Sequence, residues 1–523
     1  MKKSIIALLA VVFIAQGCKK EGLDKDPNRA TQVTPDLVLN GVCNNMFMAP
    51  WGSVARFCQY NCCNYNYYGT QEYNWGGASL YYTTLKNVLK MEEEALRVGY
   101  AQVNPYGALA KFFKAYFNYQ MTMLVGDLPL SESLNPEVPQ PAYDSQKEIF
   151  RQIIAWLETA NSEMAALTAS GTASFSGDIY YANNLNSWRK ANNALLLRVL
   201  IALSKKENDA DLNIKAKFAS VLADPAKYPL FTGNQDNLQY QYNSTFNKYP
   251  TNPDNFGFDA TRYNMSATWL NNAVAIQDPR VYFAAEPAGK KIKDGLLPTD
   301  FNAFVGAASN QDLSDMSSKA GIDNGAGILP GEYSFYNRKR YYSTYTAEPT
   351  IQIGYAEMCF NIAEAIQRGW ASGNAEDWYT KGIQASHSFF GIQNGPVDVY
   401  FFKAGGKVTN AADYNKYTVN FDWNTYYNQS AVKYNGSLNQ ILLQKYLAFF
   451  QNSGWEGYFN FRRTALPAFS ENGPGTANGG KIPKRFQYPG SERTNNFSNL
   501  SKALINQFGT ASDDINAEMW LLK

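Results

Sequence analysis

The chain has 523 residues, 45% apolar and only 18% charged, which is enough apolar material for a large core but an unusually low charge density. In place of charge it carries 36 Tyr, 31 Phe and 10 Trp. With a formal charge of +2 and no run of five or six like charges, it offers no electrostatic basis for binding nucleic acid or an anionic membrane surface.

From the amino terminus, "MKKSIIALLAVVFIAQGC" places Lys2 and Lys3 before about 11 apolar residues, then small residues before Cys18. This is the pattern of a signal peptide, residues 1–17, too short to cross about 30 Å of hydrocarbon as a helix. "AQGC" resembles the lipobox of bacterial lipoproteins, so Cys18 is expected to be the acylated first residue of the mature chain. Each buried acyl CH₂ contributes about 0.8 kcal/mol, so two or three chains would hold the protein on a membrane. Removing the leader takes two of the 47 basic residues and none of the 45 acidic ones, and the mature chain is then neutral. Residues 18–35 are polar and punctuated by proline, as a tether would be. Within them Asp24, Asp26 and Asn28 imitate a calcium loop, but Arg29 stands where the turn needs glycine.

Helical spacing follows in blocks. Residues 107–124 align Leu109, Phe112, Phe113, Tyr116 and Phe117, and end at Gly126 and Pro129. Ser145 and Glu148 form a capping box before Ile149, Ile153, Trp156 and Leu157. Residues 186–205, starting at Ser187, are apolar around most of their circumference and predict a buried central helix. Tyr355, Met358, Cys359, Ile362, Ala363 and Ile366 mark another helix, stopped by Gly369. Asn374 then caps a partner carrying Tyr379, Ile383, His387 and Phe390. The pair resembles a tetratricopeptide unit. A further helix runs from Leu438 to Phe450. Between these blocks lie long Gly/Asn/Tyr-rich stretches, 50–82, 228–264, 286–346 and 391–436, and loops of that length in an ordered protein usually carry function.

Motifs for catalysis or metal binding are absent or broken. His387, the one histidine, lies on an apolar helix face and reads as a packing residue. No zinc set occurs, and we expect no cofactor and no metal. Gly475 to Lys481 nearly matches a phosphate loop, but Ile482 and Pro483 replace the residues that would hold magnesium and start the helix. Five cysteines follow Cys18, an odd number too sparse for a disulfide scaffold; free thiols or one disulfide are expected. A glycosidase would need two carboxylates about 5–9 Å apart, and only Glu72 lies among residues suited to a sugar.

The stretch 59–82, "QYNCCNYNYYGTQEYNWGGASLYY", is the most distinctive. Tyrosine and tryptophan planes beside amide tips match the C–H faces and hydroxyl rims of sugars. A few such stacks at roughly 1 kcal/mol each would support only millimolar to micromolar capture.

Several blocks carry a family resemblance: "DPNRATQVTPDLVLNG" (26–41), "GDLPLSES" (126–133), "DIYYANNLNSWRKANNALLLRV" (178–199), "QDPRVYF" (277–283), "YAEMCFNIAEAIQRGW" (355–370), "ILLQKYLAFFQNSGWEGYFNFRRTALP" (441–467) and "IPKRFQYPGSERTNN" (482–496). Read in order, the chain resembles the SusD/RagB family of nutrient-binding outer-membrane lipoproteins of Bacteroidetes. The resemblance implies a mainly α fold, a single SusD-like domain over 36–523, built on four tetratricopeptide-like helix pairs with long ligand-binding loops. It implies lipid anchoring at the outer membrane facing the exterior. It also implies a SusC-like TonB-dependent transporter, to which a captured ligand is delivered without catalysis. Family members place stacking aromatics in the loop corresponding to 59–82, which makes Tyr67, Tyr68, Tyr73, Asn74 and Trp75 the first candidates; Trp423 and Tyr426 are the second. A glycan is the expected ligand. Oligopeptide capture is the alternative within binding, and a surface glycosidase is the rival class.

Overall fold

In the computed structural model, which describes residues 32–321 and 329–523, burial sorts the helices that the spacing places. The principal ones are α1 (Pro35–Met46), α2 (Tyr82–Arg97), α3 (Pro105–Val125), α4 (Gln146–Ala169), α5 (Leu185–Ala202) and α6 (Ile214–Ala223). They continue with α7 (Tyr355–Gln367), α8 (Ala375–Phe390), α9 (Leu438–Ala448), α10 (Glu456–Thr464) and α11 (Phe497–Phe508). The fold is mainly α. The leader, Cys18 and most of the tether lie outside the described residues.

Capping follows the sequence with one shift. Ser145 Oγ accepts from the Glu148 N–H at 3.3 Å, and Asn374 caps α8. The central helix α5 starts earlier than Ser187, because Asn184 Oδ1 accepts from the N–H groups of Asn186 and Ser187 at 3.0 and 3.1 Å. An asparagine side chain that reaches two orphan donors sets the N-terminus more firmly than a serine one turn later. In α3 only Lys111 and Lys114 escape full burial, so this helix is core on nearly every side.

Successive helices pack as neighbours: α3 on α4, α5 on α6, and α7 on α8. The helix α9 lies against α7 and α8, while α10 turns away to meet α5. One apolar cluster joins these layers from Leu39 to Leu521. Charges are buried inside it. Arg198 of α5 donates Nε and Nη2 to Glu357 of α7 at 2.6 and 2.5 Å, and Arg463 of α10 donates Nη2 to Glu364 of α7 at 2.9 Å. Each pair ties two helices in a geometry that a lone partner would make costly.

Three short antiparallel sheets decorate this scaffold. They pair β1 (Asn61–Cys63) with β3 (Tyr263–Met265), β2 (Leu238–Tyr240) with β4 (Thr350–Ile353), and β5 (Gly395–Phe402) with β6 (Tyr414–Phe421). The stretch 391–436, which composition alone marks as loop, is therefore largely a hairpin. Val397, Val399 and Phe401 alternate inward on one face of it, the period-2 signature of a half-buried strand.

Candidate functional site

Strand β1 ends at Cys63, and the chain turns back at once. Gln71 closes the turn: its Oε1 accepts from the Cys63 N–H at 2.8 Å and its Nε2 donates to the Cys63 carbonyl at 3.1 Å. Between the two lies a single 3₁₀ turn, Asn66–Tyr68, that ends at Gly69 with φ +132°. A Cβ there would fall 2.4 Å from the Arg56 guanidinium, so only glycine fits. Arg56 Nε in turn donates to the Thr70 carbonyl at 3.3 Å. A loop this tight has no interior in which to hide its rings.

The turn therefore bares its tyrosines. Tyr67 is 79% exposed and Tyr65 57%, with Tyr68 half-buried between them and the body. Their centroids lie 4.9 to 6.4 Å apart. The Arg262 guanidinium sits 3.6 Å over the Tyr68 ring, a cation–π contact that fixes the plane. The backbone beneath is held to β3 by the Asn64 N–H, which donates to the Arg262 carbonyl at 2.7 Å. Three rings with phenolic tips lie beside the exposed Asn66, tilted 32° to 81° to one another, and of the three only Tyr68 is fixed by the Arg262 contact.

The other first candidates point the opposite way. Tyr73 is 1% exposed and donates its hydroxyl to the Phe57 carbonyl at 3.1 Å. Trp75 is 6% exposed, stacks on Phe486 at 4.0 Å and 9°, and is surrounded by the rings of Phe57, Tyr73, Trp455 and Tyr458. A ring covered on both faces has none to offer a sugar, so the expectation that Tyr73 and Trp75 stack on a ligand is corrected: they are core. Asn74 between them is exposed, and its Oδ1 accepts from the Asn478 N–H at 3.1 Å.

The second candidates sit elsewhere, against α8. Trp423 is half-buried and stacks on Tyr427 at 5.5 Å and 14°. Tyr426 is buried and donates its hydroxyl to Asp278 Oδ2 at 2.6 Å, so it too is corrected from ligand contact to internal strut. Neither shares a ring contact with Tyr65, Tyr67 or Tyr68 among the described residues.

A family model described as starch-binding and associating with the outer membrane, of the SusD-like type, matches residues 27–489. The chain belongs to the SusD-like family. Two solved SusD homologues from Bacteroides fragilis resemble it with TM-scores of 0.79 and 0.75, at 29% and 30% identity. Each match covers 94% of this chain and 100% of the homologue. A chitin-binding SusD homologue from Flavobacterium johnsoniae shares the fold at TM-score 0.68 and 20% identity, over 94% of this chain and 98% of its own. The search of curated proteins gives no match.

The titratable groups of this SusD-like chain that look most like machinery are enclosed. His387 Nε2 lies 3.6 Å from Asp278 Oδ1, with Ser386 next in sequence. Burial lowers the imidazole pKa, partly countered by Asp278. Asp278 is itself clamped by Arg280 through bonds of 2.9 and 2.7 Å, and Arg280 reaches on to Ser386 and Gln444. All of these side chains are buried, so the cluster braces α8, α9 and the loop after β6. The five described cysteines are free and buried, and burial pushes the thiols of Cys58, Cys62 and Cys359 up to about 12. Among the described residues no group of three or more His, Cys, Asp or Glu side chains could hold a metal ion, and no helix is long and apolar enough to cross a membrane.

Tyr65, 57% exposed beside Tyr67 and Tyr68, is a candidate that the sequence alone did not single out. A signal for it exists. In "QEYNW" (71–75) apolar rings alternate with Glu72 and Asn74, and burial alternates with them, whereas "YNYYG" (65–69) has a tight turn's composition and no alternation.

Proposed function

We propose that this SusD-like chain is a non-catalytic binder on the cell surface, held to the outer membrane through acylated Cys18. In this reading it captures a glycan and passes it to a SusC-like TonB-dependent transporter. The observation that carries the reading is the pair of exposed rings Tyr65 and Tyr67 beside half-buried Tyr68 on a clamped turn, with Tyr67 as the most open. Such planes favour the C–H faces of pyranose rings, and the phenol and amide tips serve the hydroxyl rims. The family description as starch-binding, and the name of the chitin-binding homologue from Flavobacterium johnsoniae, point to the same ligand class. Two or three stacks at about 1 kcal/mol each give weak affinity, which suits a ligand that must be released to a transporter. Affinity electrophoresis of residues 19–523 through gels cast with starch, chitin derivatives and other polysaccharides tests it. Retardation in at least one gel is expected, and it should be lost when Tyr65 and Tyr67 are both changed to alanine. Retardation that survives the double change would remove the platform from the site. Release of reducing ends would make the protein an enzyme instead. Binding of mixed oligopeptides without any glycan would move the ligand class to peptide.

A further inference from the structure

Four large apolar side chains stand exposed on elements that meet at one end of the helical body. Leu37, 64% exposed, lies in the first turn of α1. Leu96 lies in the last turn of α2, Val98 just beyond it and Val103 in the loop before α3, each 43 to 46% exposed. Antiparallel packing brings these segments together. Asn45 at the close of α1 donates Nδ2 to Thr84 Oγ1 at the start of α2 at 3.2 Å. At the opposite end Arg97 of α2 donates Nη1 to Gln32 Oε1 at 3.5 Å and Nη2 to the Val33 carbonyl at 3.3 Å, just before α1. The Ser176 N–H, beyond α4, donates to the Tyr106 hydroxyl at the start of α3 at 3.2 Å. A Cβ on Gly177 would fall 2.1 Å from the Asp36 carbonyl, so the segment after α4 packs against the first turn of α1.

Two loops frame these side chains, and neither carries a charge: "VGYAQVNPYG" (98–107) and "SGTASFSG" (170–177). Of the charges at the border, Arg97 pairs with buried Glu94 and Asp36 is half-buried. An exposed apolar patch of this kind marks a contact with protein or with lipid. Leucine and valine offer no flat face on which a sugar could stack. The course of the chain decides between the remaining covers. Arg97 holds Gln32 and Val33 at this same end, and Cys18 lies 14 positions before Gln32. A stretch of that length reaches at most about 50 Å, so a bilayer that holds an acylated Cys18 lies within reach of this end of the body. Linkage over so short a span gives an effective concentration of roughly millimolar, at which even a weak apolar contact seats the body. Because such contacts strengthen with the apolar area buried and need no charge, the uncharged border suits a lipid surface without net charge.

We propose that this end is the face on which the acylated protein rests, with Leu37, Leu96, Val98 and Val103 entering the lipid surface between headgroups. The proposal rests on the reading of Cys18 as the acylated residue and adds to it the part of the body that meets the bilayer. It is tested with the full lipidated chain in phosphatidylcholine vesicles. The five described cysteines are buried, so an environment-sensitive fluorophore can be attached at Leu96→Cys and, as control, at Phe246→Cys, a position 94% exposed on the loop after β2. Tyr240 at the base of that loop bonds Asn44, which puts the control beyond the other end of α1, about 18 Å away along 12 residues of helix. The Leu96 probe should shift to the blue on vesicles and be quenched by spin-labelled lipid, and the Phe246 probe should do neither. Leu37→Glu combined with Val98→Glu should abolish the Leu96 shift, while the melting temperature stays unchanged and the acyl chains still float the protein with the vesicles. A Leu96 probe that stays in water while the chain floats overturns the resting face and leaves the anchor standing. A lipid-quenched probe at Phe246 does the same, as does a Leu96 shift that needs no vesicles and grows with protein concentration, the mark of a second copy. A chain that carries no fatty acid and does not float removes the anchor reading, and the resting face with it.

Discussion

Trp75→Ala should damage the fold and spare the ligand, while Tyr67→Ala should do the reverse. The indole of Trp75 fills a site walled by five aromatic rings, with the Phe486 plane at 4.0 Å. Truncation of such a residue costs about 3–5 kcal/mol. Its Nε1–H finds no acceptor among the described residues, so removing it returns roughly 1 kcal/mol of desolvation penalty. A net loss of about 3 kcal/mol remains. With an unfolding entropy of about 2.1 cal/mol/K per residue, a chain of this length has ΔS near 1.1 kcal/mol/K, and the melting temperature should fall by about 3 °C. Tyr67, solvated on most of its surface, should change stability by less than about 0.5 kcal/mol. Losing its stack should weaken glycan binding about fivefold, the equivalent of ~1 kcal/mol. Circular-dichroism melts and affinity gels on the same preparations separate the two effects. If Trp75→Ala left the melt unchanged and abolished retardation, the assignment of Trp75 to the core and Tyr67 to the platform would be wrong.

Other consequences of the structure can be measured independently. Burial raises the Glu364 carboxyl, but Arg463, then Lys445 and Arg368, more than offset this and hold it at about 2. Because this folded value lies below the unfolded one, its stabilisation is present above about pH 4.5 and is lost as pH falls towards 2. Glu364→Gln should lower stability at pH 7 by roughly 3–5 kcal/mol, since it strands Arg463, and should flatten the acid limb of urea midpoints plotted against pH. Asp127 shows the opposite sign. Burial pushes its carboxyl up to about 7, although the Gln146 N–H bond works against the shift. Its effect on stability is therefore favourable at low pH and is lost as pH rises through 7. Asp127→Asn keeps the acceptor for that N–H, so its urea midpoint should exceed wild type at pH 8 and match it near pH 4. Cys18→Ser should move the protein from the membrane pellet to the soluble fraction, as read by fractionation and by loss of labelled fatty acid.

The helices were legible before the structure, because an apolar stripe with a period near 3.6 has one stable solution, burial against a neighbour. The runs at 107–124 and 355–366, the caps at Ser145 and Asn374, and the stop at Gly369 all reflect spacing that any fold must respect. Family membership was legible for a related reason: blocks such as "DIYYANNLNSWRKANNALLLRV" hold buried partners like Arg198, whose chemistry leaves little freedom. The choice among the tyrosines was not legible. Tyrosine serves a core and a surface equally well, since its ring packs and its hydroxyl bonds, and composition cannot tell which use a given position makes. Tertiary structure decided it through contacts between residues hundreds of positions apart. Phe486 and Trp455 arrive from the far end of the chain to cover Trp75, while the Gln71 clamp and Gly69 turn the chain at Tyr65, Tyr67 and Tyr68, where among the described residues Arg262 returns to cover only Tyr68 and leaves Tyr65 and Tyr67 exposed.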